Sequence, residues 1–380
     1  MKKKYLAIIL SLIVVLVFVL SACGESNSPA PAPSGGGNNS PTPAPAAPAA
    51  PETSDEVFYI TAEINYPEPA AGVIVKYFED LTELSGGRLQ FDSYFGSSLS
   101  GQGGVLQSLE SNITQIVGLM PYNFDTVFPY SGSLFNMPFL GFEDMAGASA
   151  IWKEMYDTTP EMQAEYANEG LWVASVMANP IYDLHLAKDA NVRLPQDMKG
   201  LTIITQVPEI SELVTSYGAA ALDANPSDFY PNLEKGVADG IIQHVSILGA
   251  FGVAPDLVKK QIRFDNGGGG FVTSILTYVW RIDLIESMPQ DLQDIIYERS
   301  KTLSAEMLTN DSATWENTWA RCEEAGNDIV FLTKEEVDEW KKAAEPIRLK
   351  SVEERAARGA TNLMEVHNKL IDKINEYYKK

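Results

Sequence analysis

The residues that most often carry catalysis or bind metals are few and scattered in this sequence. The three histidines, His185, His244 and His367, lie far apart, and none stands in the spacing of a metal site. Neither the serine turn of a hydrolase nor a phosphate-binding loop occurs. The sequence therefore predicts a protein that is not an enzyme and that has no metal and no cofactor.

A glycine run, "DNGGGGF" at residues 265–271, could cradle a phosphate or could form a flexible crossing between two lobes. It lacks the Lys-Ser/Thr pair of a nucleotide-binding loop, and Val272 stands where a dinucleotide fingerprint has its third glycine. The crossing is the favoured interpretation.

Cys23 follows an apolar segment that has the pattern of an export signal. Lys2, Lys3 and Lys4 precede the apolar run 6–20, which is short for a membrane span. The tetrad Leu20-Ser21-Ala22-Cys23 fits the lipobox of bacterial lipoproteins, although a plain signal peptide with a chance cysteine is the alternative. We expect a signal peptide at 1–22, lipidation of Cys23, and a mature protein anchored at the extracytoplasmic face of the cell membrane.

The segment after Cys23 predicts a tether. Residues 23–55 are rich in Pro, Ala, Gly and Ser and have almost no bulky apolar side chain. The formal charge of the chain is -23, and the signal segment carries lysines but no acids, so the mature chain is more acidic still. This charge argues against nucleic acid as a partner. Once Cys23 is lipidated, only Cys322 remains, which we expect to be a buried thiol beside Trp315 and Trp319.

The elements that would position a site alternate between strand and helix. The segment 56–65 has a strand pattern, a helical stripe with Val73, Tyr77 and Leu81 ends at Gly86-Gly87, and 88–95 alternates as a strand. A short helix near 103–112 and a strand within 113–120 follow. This order predicts an α/β sheet.

The pattern recurs in the second half of the chain. We predict strands at 171–177, 201–205 and 240–245, and helices at 210–218 and 225–236, the latter opened by an Asn225 cap and Pro226. Thr333 to Glu336 form a capping box, and the helix that it opens is expected to end at Pro346. Residues 349–378 are expected to form one amphipathic terminal helix.

Five segments in order resemble the solute-binding proteins of TRAP transporters (tripartite ATP-independent periplasmic transporters) of the dicarboxylate-binding, DctP-like type. They are "LSGGRLQFDSYFGSSL" (84–99), "FNMPFLGFED" (135–144), "LPQDMKGLTII" (194–204), "NPSDFYPNLEKGVADG" (225–240) and "SMPQDLQDII" (287–296).

The resemblance implies a two-lobed periplasmic-binding-protein fold of the type II kind, with long C-terminal helices and a ligand cleft between the lobes. Lobe I would comprise 56–182 and about 270–308; lobe II would comprise 183–269 and about 309–380, including helices that span both. It implies a monomer that captures a small-molecule solute and delivers it to TRAP permease subunits in the membrane. A ligand sensor of the same fold, which signals to a membrane receptor, is the alternative.

One departure from the family concerns the ligand. The arginine that grips a carboxylate in the family element is replaced here by Ile204, and the earlier segment that carries a second arginine offers Tyr182, Asp183 and His185 instead. A guanidinium fork makes two charge-assisted hydrogen bonds, so its loss weakens carboxylate binding strongly. Arg193 and Arg263 are candidates to replace the missing cation. Otherwise the solute would be cationic or rich in hydroxyls, with Asp183 as its partner. The alternative is that Asp183 points to solvent and another group binds the anion.

By their positions in the resemblance, further side chains are expected at the cleft. Phe229 is equally well explained as helix-packing core, and His244 as a structural histidine. The full set of candidate ligand-binding residues is Asn65, Tyr66, Gln102, Tyr122, Asn123, Tyr182, Asp183, His185, Ile204, Thr205, Gln206, Phe229, Gln243 and His244.

Overall fold

The computed structural model describes residues 55–264 and 269–379. The signal peptide, Cys23 and the tether up to residue 54 lie outside the described residues, as do residues 265–268 of the glycine run. Across the two described ranges, no helix has both the length and the apolar character that crossing a membrane requires.

The strands of the described residues are β1 Phe58–Ile64, β2 Leu89–Phe95, β3 Ile116–Leu119, β4 Leu171–Ala178, β5 Asp183–Leu186, β6 Thr202–Ile204, β7 Ala220–Leu222, β8 Gly240–Gln243, β9 Lys260–Arg263, β10 Ile275–Arg281 and β11 Asp328–Phe331. The helices are α1 Gly72–Leu84, α2 Val105–Glu110, α3 Met145–Thr158, α4 Pro160–Asn168, α5 Pro208–Ser216, α6 Pro226–Glu234, α7 Val245–Ala250, α8 Ile282–Ser287, α9 Gln290–Glu324, α10 Lys334–Ala357 and α11 Leu363–Tyr378.

The strands form two mixed sheets. The first has the order β2-β1-β3-β10-β4, and the second has the order β11-β9-β5-β8-β6-β7. Apart from β10, the strands of the first sheet precede residue 182; those of the second, apart from β11, lie between 183 and 263. The α/β architecture expected from the alternating pattern is confirmed, whereas the exact boundaries of two lobes stay a prediction.

Two chain crossings join the sheets and run side by side. One leads from β4 to β5 and the other from β9 to β10. Tyr182 N–H donates to the Val272 carbonyl at 2.9 Å, and Phe271 N–H donates to the Tyr182 carbonyl at 3.0 Å. Asn179 N–H donates to the Ser274 carbonyl at 2.8 Å. These backbone hydrogen bonds fix the crossings as a paired ribbon, because buried N–H and C=O groups must find partners.

The long helix α9 packs against both sheets. Its first half buries Leu292 and Leu303 in the core of the first sheet. Its second half buries Trp319 and Cys322 in a cluster on one face of the second sheet. Cys322 is the buried thiol that the sequence predicts, and burial raises its pKa to about 11. Asp311 lies between the two halves, where the packing of α9 changes from one sheet to the other.

The expected helix end at Pro346 is wrong. Helix α10 begins at the predicted capping box, with Glu336 N–H donating to Thr333 Oγ1 at 3.3 Å, but it runs through Pro346 to Ala357. Proline removes one backbone hydrogen bond. Burial of Trp340 before the proline and of Val352 after it holds both parts of the helix against the core.

The single helix expected over 349–378 is also wrong. Helix α10 ends at Ala357, and Gly359 has a φ of 129°, which residues other than glycine rarely adopt. Helix α11 begins at Leu363. Asn225 precedes α6 in an extended conformation as predicted, but its side chain makes no capping hydrogen bond.

Candidate functional site

A chain of polar side chains follows the paired crossings. The hydroxyl of Tyr66 lies 3.2 Å from Asp311 Oδ2 and 3.3 Å from Asn179 Oδ1, so its single proton is shared between two acceptors. The Asn179 amide donates to Ser274 Oγ at 2.8 Å, and the Ser274 and Tyr182 hydroxyls are 3.0 Å apart. We call these five residues, Asp311, Tyr66, Asn179, Ser274 and Tyr182, the crossing network.

The second sheet reaches the network through the end of β8 and the start of α7. The rings of Tyr182 and His244 have their centroids 5.4 Å apart. The Gln243 amide donates to Gln206 Oε1 at 3.1 Å, and Gln243 Oε1 accepts from His244 N–H at 3.0 Å. Amide groups from two neighbouring strand ends are therefore held in one arrangement beside Tyr182.

The first sheet contributes tyrosine and asparagine side chains. The Tyr278 hydroxyl donates to Asn65 Oδ1 at 2.9 Å. A side chain at Gly118 would collide with Asn65 Oδ1, and its Cβ would be 3.2 Å from Tyr278 Cζ, so it would displace Asn65 from its bond to Tyr278. Burial raises the pKa of Tyr122, and its interaction and hydrogen bond with Tyr182 raise the pKa further. Four tyrosines thus lie in or next to the crossing network.

The histidines at this site are neutral. Burial lowers the pKa of His244 to about 3, and the Nδ1 atom accepts a hydrogen bond from Ile247 N–H, which requires an unprotonated nitrogen. Burial also lowers the pKa of His185 to about 3, and the charge of Arg263 acts in the same direction. Neither imidazole therefore supplies positive charge for an anion at neutral pH.

Asp311 brings negative charge to the network. Burial raises the pKa of Asp311 to about 6, although hydrogen bonds from Tyr66 and Asn310 act in the opposite direction. The same charge, after burial, raises the pKa of Tyr66. At neutral pH the carboxylate is ionised, and its removal from water costs free energy.

Replacing Asp311 with asparagine is expected to raise the free energy of unfolding at neutral pH by about 2–3 kcal/mol. The folded-state pKa is about 6 against an ordinary 3.8, so the wild type loses stability as the pH rises through this interval. The gain should vanish below about pH 3, where the acid is protonated in both states, and stay constant above about pH 7. Glu165, with a pKa near 7, titrates in both proteins, so its effect cancels. Urea denaturation of both proteins across this range measures the difference; a gain that is equal at every pH would contradict the assignment.

Several predicted residues lie in the core of the second sheet. Ile204 and Phe229 are fully buried in the apolar cluster that also holds Trp319. Thr205 is buried in a local turn, where its hydroxyl lies 3.4 Å from Val207 N. The position that holds the family's arginine is therefore part of an apolar core in this chain.

Asp183 and His185 face the same side of β5, since Leu184 between them packs into the opposite core. Asp183 is buried and accepts a hydrogen bond from Phe264 N–H at 3.2 Å, so it does not point to solvent. His185 donates through Nε2 to the Gln243 carbonyl at 3.0 Å and stacks on Trp319, with ring centroids 5.9 Å apart. Both residues support the strand ends that carry Tyr182 and Gln243.

The remaining candidates stand apart from the network. Gln102 is partly exposed on the loop after β2, and Asn123 is exposed on a 3-10 turn. The Arg193 guanidinium is paired with both Glu336 oxygens at the start of α10. The Arg263 guanidinium lies over Trp319, 4.3 Å from the ring centroid, and also contacts Trp315.

Four residues in or next to the crossing network were not predicted from the sequence. Asn179 directly follows β4 and Ser274 directly precedes β10, so their places at strand ends could have indicated them. Tyr278 lies inside β10, a strand that the sequence analysis did not predict. Asp311 lies within a helix rich in charged residues, and nothing in the sequence distinguishes it from its solvated neighbours.

A cavity of about 10 Å³ lies beside the network, next to Tyr66 and Asp311. Larger cavities of about 500 Å³ near Arg355, 360 Å³ near Arg281 and 780 Å³ near Arg348 share no lining residue with the network. No group of His, Cys, Asp and Glu suited to a metal ion occurs in the part of the chain that the structure describes.

Residues 67–355 match the model of the bacterial extracellular solute-binding proteins, family 7 (DctP). The chain belongs to this family. The resemblance of the five sequence segments is thereby confirmed, and so is the conclusion that the chain is not an enzyme, because members of the DctP family are solute-binding transport proteins.

Solved structures of TRAP solute-binding proteins share the DctP fold of this chain. One from a marine metagenome, described as specific for aromatic acid ligands, is 18% identical, covers 85% of this chain and 99% of its own, and has a TM-score of 0.75. One from Rhodoferax ferrireducens, in complex with copurified benzoate, is 20% identical with a TM-score of 0.70 and covers 84% of this chain and 99% of its own. One from Chromohalobacter salexigens, with bound D-glucuronate, is 15% identical with a TM-score of 0.72 and covers 83% and 99%. At these identities the likeness concerns the fold, and it confirms the two-lobed binding-protein architecture.

Proposed function

We propose that this chain is an extracytoplasmic lipoprotein that binds a small organic solute at the crossing network and delivers it to a TRAP-type transporter. The observation that carries the proposal is the continuous hydrogen-bonded chain from Asp311 through Asn179 to Tyr182, at the point where the two sheets are joined. Family membership supports the transport role.

The arrangement fits a binding protein whose two sheets close around the solute. Groups of both sheets meet at the network, so a solute that contacts both favours the closed state over the open one. The cavity of about 10 Å³ beside Tyr66 and Asp311 holds at most about one water molecule, so a solute that binds there can enter only if the sheets separate. The polar groups that now bond to one another are then available to the solute.

A thermal-shift screen tests this proposal. The library should include the solutes of the neighbouring structures, such as benzoate and glucuronate, together with amines, polyols and neutral aromatics. At a hundred times its dissociation constant a true solute adds about 2.7 kcal/mol of stability. We expect Tyr182→Phe, which removes the hydroxyl bonded to Ser274, to weaken this effect.

The matched control is Tyr94→Phe, which removes an exposed tyrosine hydroxyl of β2. It should leave the shift unchanged. An equal loss in both variants, or a shift that Tyr182→Phe does not alter, would contradict binding at the crossing network.

The lipid anchor has a separate test. Replacing Cys23 with alanine removes the thiol that receives the lipid, so we expect the protein to leave the membrane fraction or to retain its signal peptide. Fractionation and mass spectrometry of the amino terminus measure this. A Cys23→Ala protein that stays in the membrane fraction with its signal peptide removed would refute lipidation at this residue.

A further inference from the structure

Asp311 is an acid without an ion-pair partner among the residues that the structure describes. Its bonds are to neutral groups, the Tyr66 hydroxyl at 3.2 Å and the side chain of Asn310. A carboxylate offers about four acceptor sites, so two donors leave acceptor capacity unused. Asp311 is partly buried, and ionised groups withdrawn from water are normally paired.

The charge of Asp311 would repel an anionic solute bound at the network. The family arginine position is Ile204, which lies in an apolar core. His244 is neutral, and Arg263 is engaged with the rings of Trp315 and Trp319. A carboxylate bound at the network would therefore face Asp311 with no matching cation from these residues.

The same surroundings suit a cation. Burial is the main cause of the raised pKa values of Tyr66 and Tyr278, and the negative charge of Asp311 raises both further. The two phenol groups therefore lie near the carboxylate. Aromatic rings attract cations through the negative faces of their π-systems. An N–H donor that is positively charged would meet both the unused acceptor sites and the aromatic groups.

Resting on the proposed function, we propose that Asp311 selects the charge of the solute and that the solute carries a protonated amine. The ammonium group donates to the Asp311 carboxylate, and the rest of the molecule lies toward Tyr182 and the amides of Gln243 and Gln206. The chain would then differ from its structural neighbours that hold benzoate or glucuronate.

Pairs of compounds that differ mainly in charge provide the test. They are benzylamine with benzoate, tyramine with 4-hydroxyphenylacetate, glucosamine with glucuronate, and putrescine with succinate. We expect thermal stabilisation by the amine of at least one pair and none by its carboxylate partner. Calorimetry with that amine should show affinity lower by about tenfold or more in Asp311→Asn, as for a lost charge-assisted hydrogen bond.

Asp294→Asn is the matched control, because it makes the same charge change at an exposed position of the same helix. It should bind like the wild type. Stabilisation by a carboxylate or a neutral compound alone would overturn the inference and leave the proposed function standing. An amine that binds Asp311→Asn as tightly as it binds the wild type would also overturn the inference. If none of these compounds and none in the wider library stabilises the protein, that result would count against both proposals.

Discussion

Replacing Gly270 with alanine is expected to destabilise the protein by about 3 kcal/mol or more. The added Cβ would meet backbone atoms of the neighbouring crossing, which cannot move aside as the end of a flexible side chain can. The added Cβ would collide with the Tyr182 carbonyl oxygen and lie 2.5 Å from Ile181 Cγ2. That carbonyl accepts the hydrogen bond from Phe271 N–H that pairs the two crossings. The substitution therefore pushes apart the ribbon that carries Tyr182, so solute binding should fall together with stability.

Gly72→Ala is the control for this prediction. Gly72 begins α1, and an added Cβ there meets no atom within 4 Å. Alanine favours a helix over glycine, so this variant should be as stable as the wild type or slightly more stable. Chemical denaturation of the three proteins measures the effects, and a Gly270→Ala protein of wild-type stability would show that the crossings are not rigidly paired.

Replacing Trp340 with alanine is expected to cost about 3–5 kcal/mol. The Trp340 ring is fully buried, and its centroid lies 5.3 Å from that of Phe271 and 5.6 Å from that of Phe264. Phe139, a residue with a φ of 55°, packs against the same ring. The variant therefore removes the centre of the aromatic cluster that flanks the crossing from β9 to β10.

Trp340→Phe separates packing from hydrogen bonding. It keeps an aromatic ring but loses the bond from Nε1 to the Arg193 carbonyl, 2.9 Å long. We expect a smaller loss of stability than with alanine. Trp315→Ala, at a partly buried position of α9, should cost less than Trp340→Ala, and equal costs at both positions would contradict the central place of Trp340 in the core.

Local sequence patterns were sufficient to predict the strands and helices whose two faces differ clearly in polarity. Strand β1 alternates, and α1 buries Ile74, Tyr77 and Leu81 on one side, so both follow from the order of side chains. The path through Pro346 did not follow from local rules, because burial of distant side chains outweighs one lost hydrogen bond. Tertiary packing of this kind leaves no periodic mark in the sequence.

The candidate site was only partly accessible to sequence reasoning for the same reason. Tyr182 and His244 directly precede or follow a strand, Tyr66 lies two residues after β1, and the ends of neighbouring strands converge in space. Asp311 reaches them because α9 crosses from one sheet to the other, and that crossing depends on apolar contacts on both sides of it. Ile204, which the resemblance made a candidate, is fully buried in an apolar cluster.

Hydrogen–deuterium exchange with a stabilising solute tests the central claim most directly, because it locates the bound molecule on the chain. We predict slower exchange in peptides that cover residues 64–66, 179–183, 243–247 and 274–278, which contain or adjoin the crossing network. The same peptides of Tyr182→Phe should show a weaker effect at equal solute concentration. Protection confined to α10 and α11 around the 780 Å³ cavity near Arg348, with the crossings unchanged, would contradict the account.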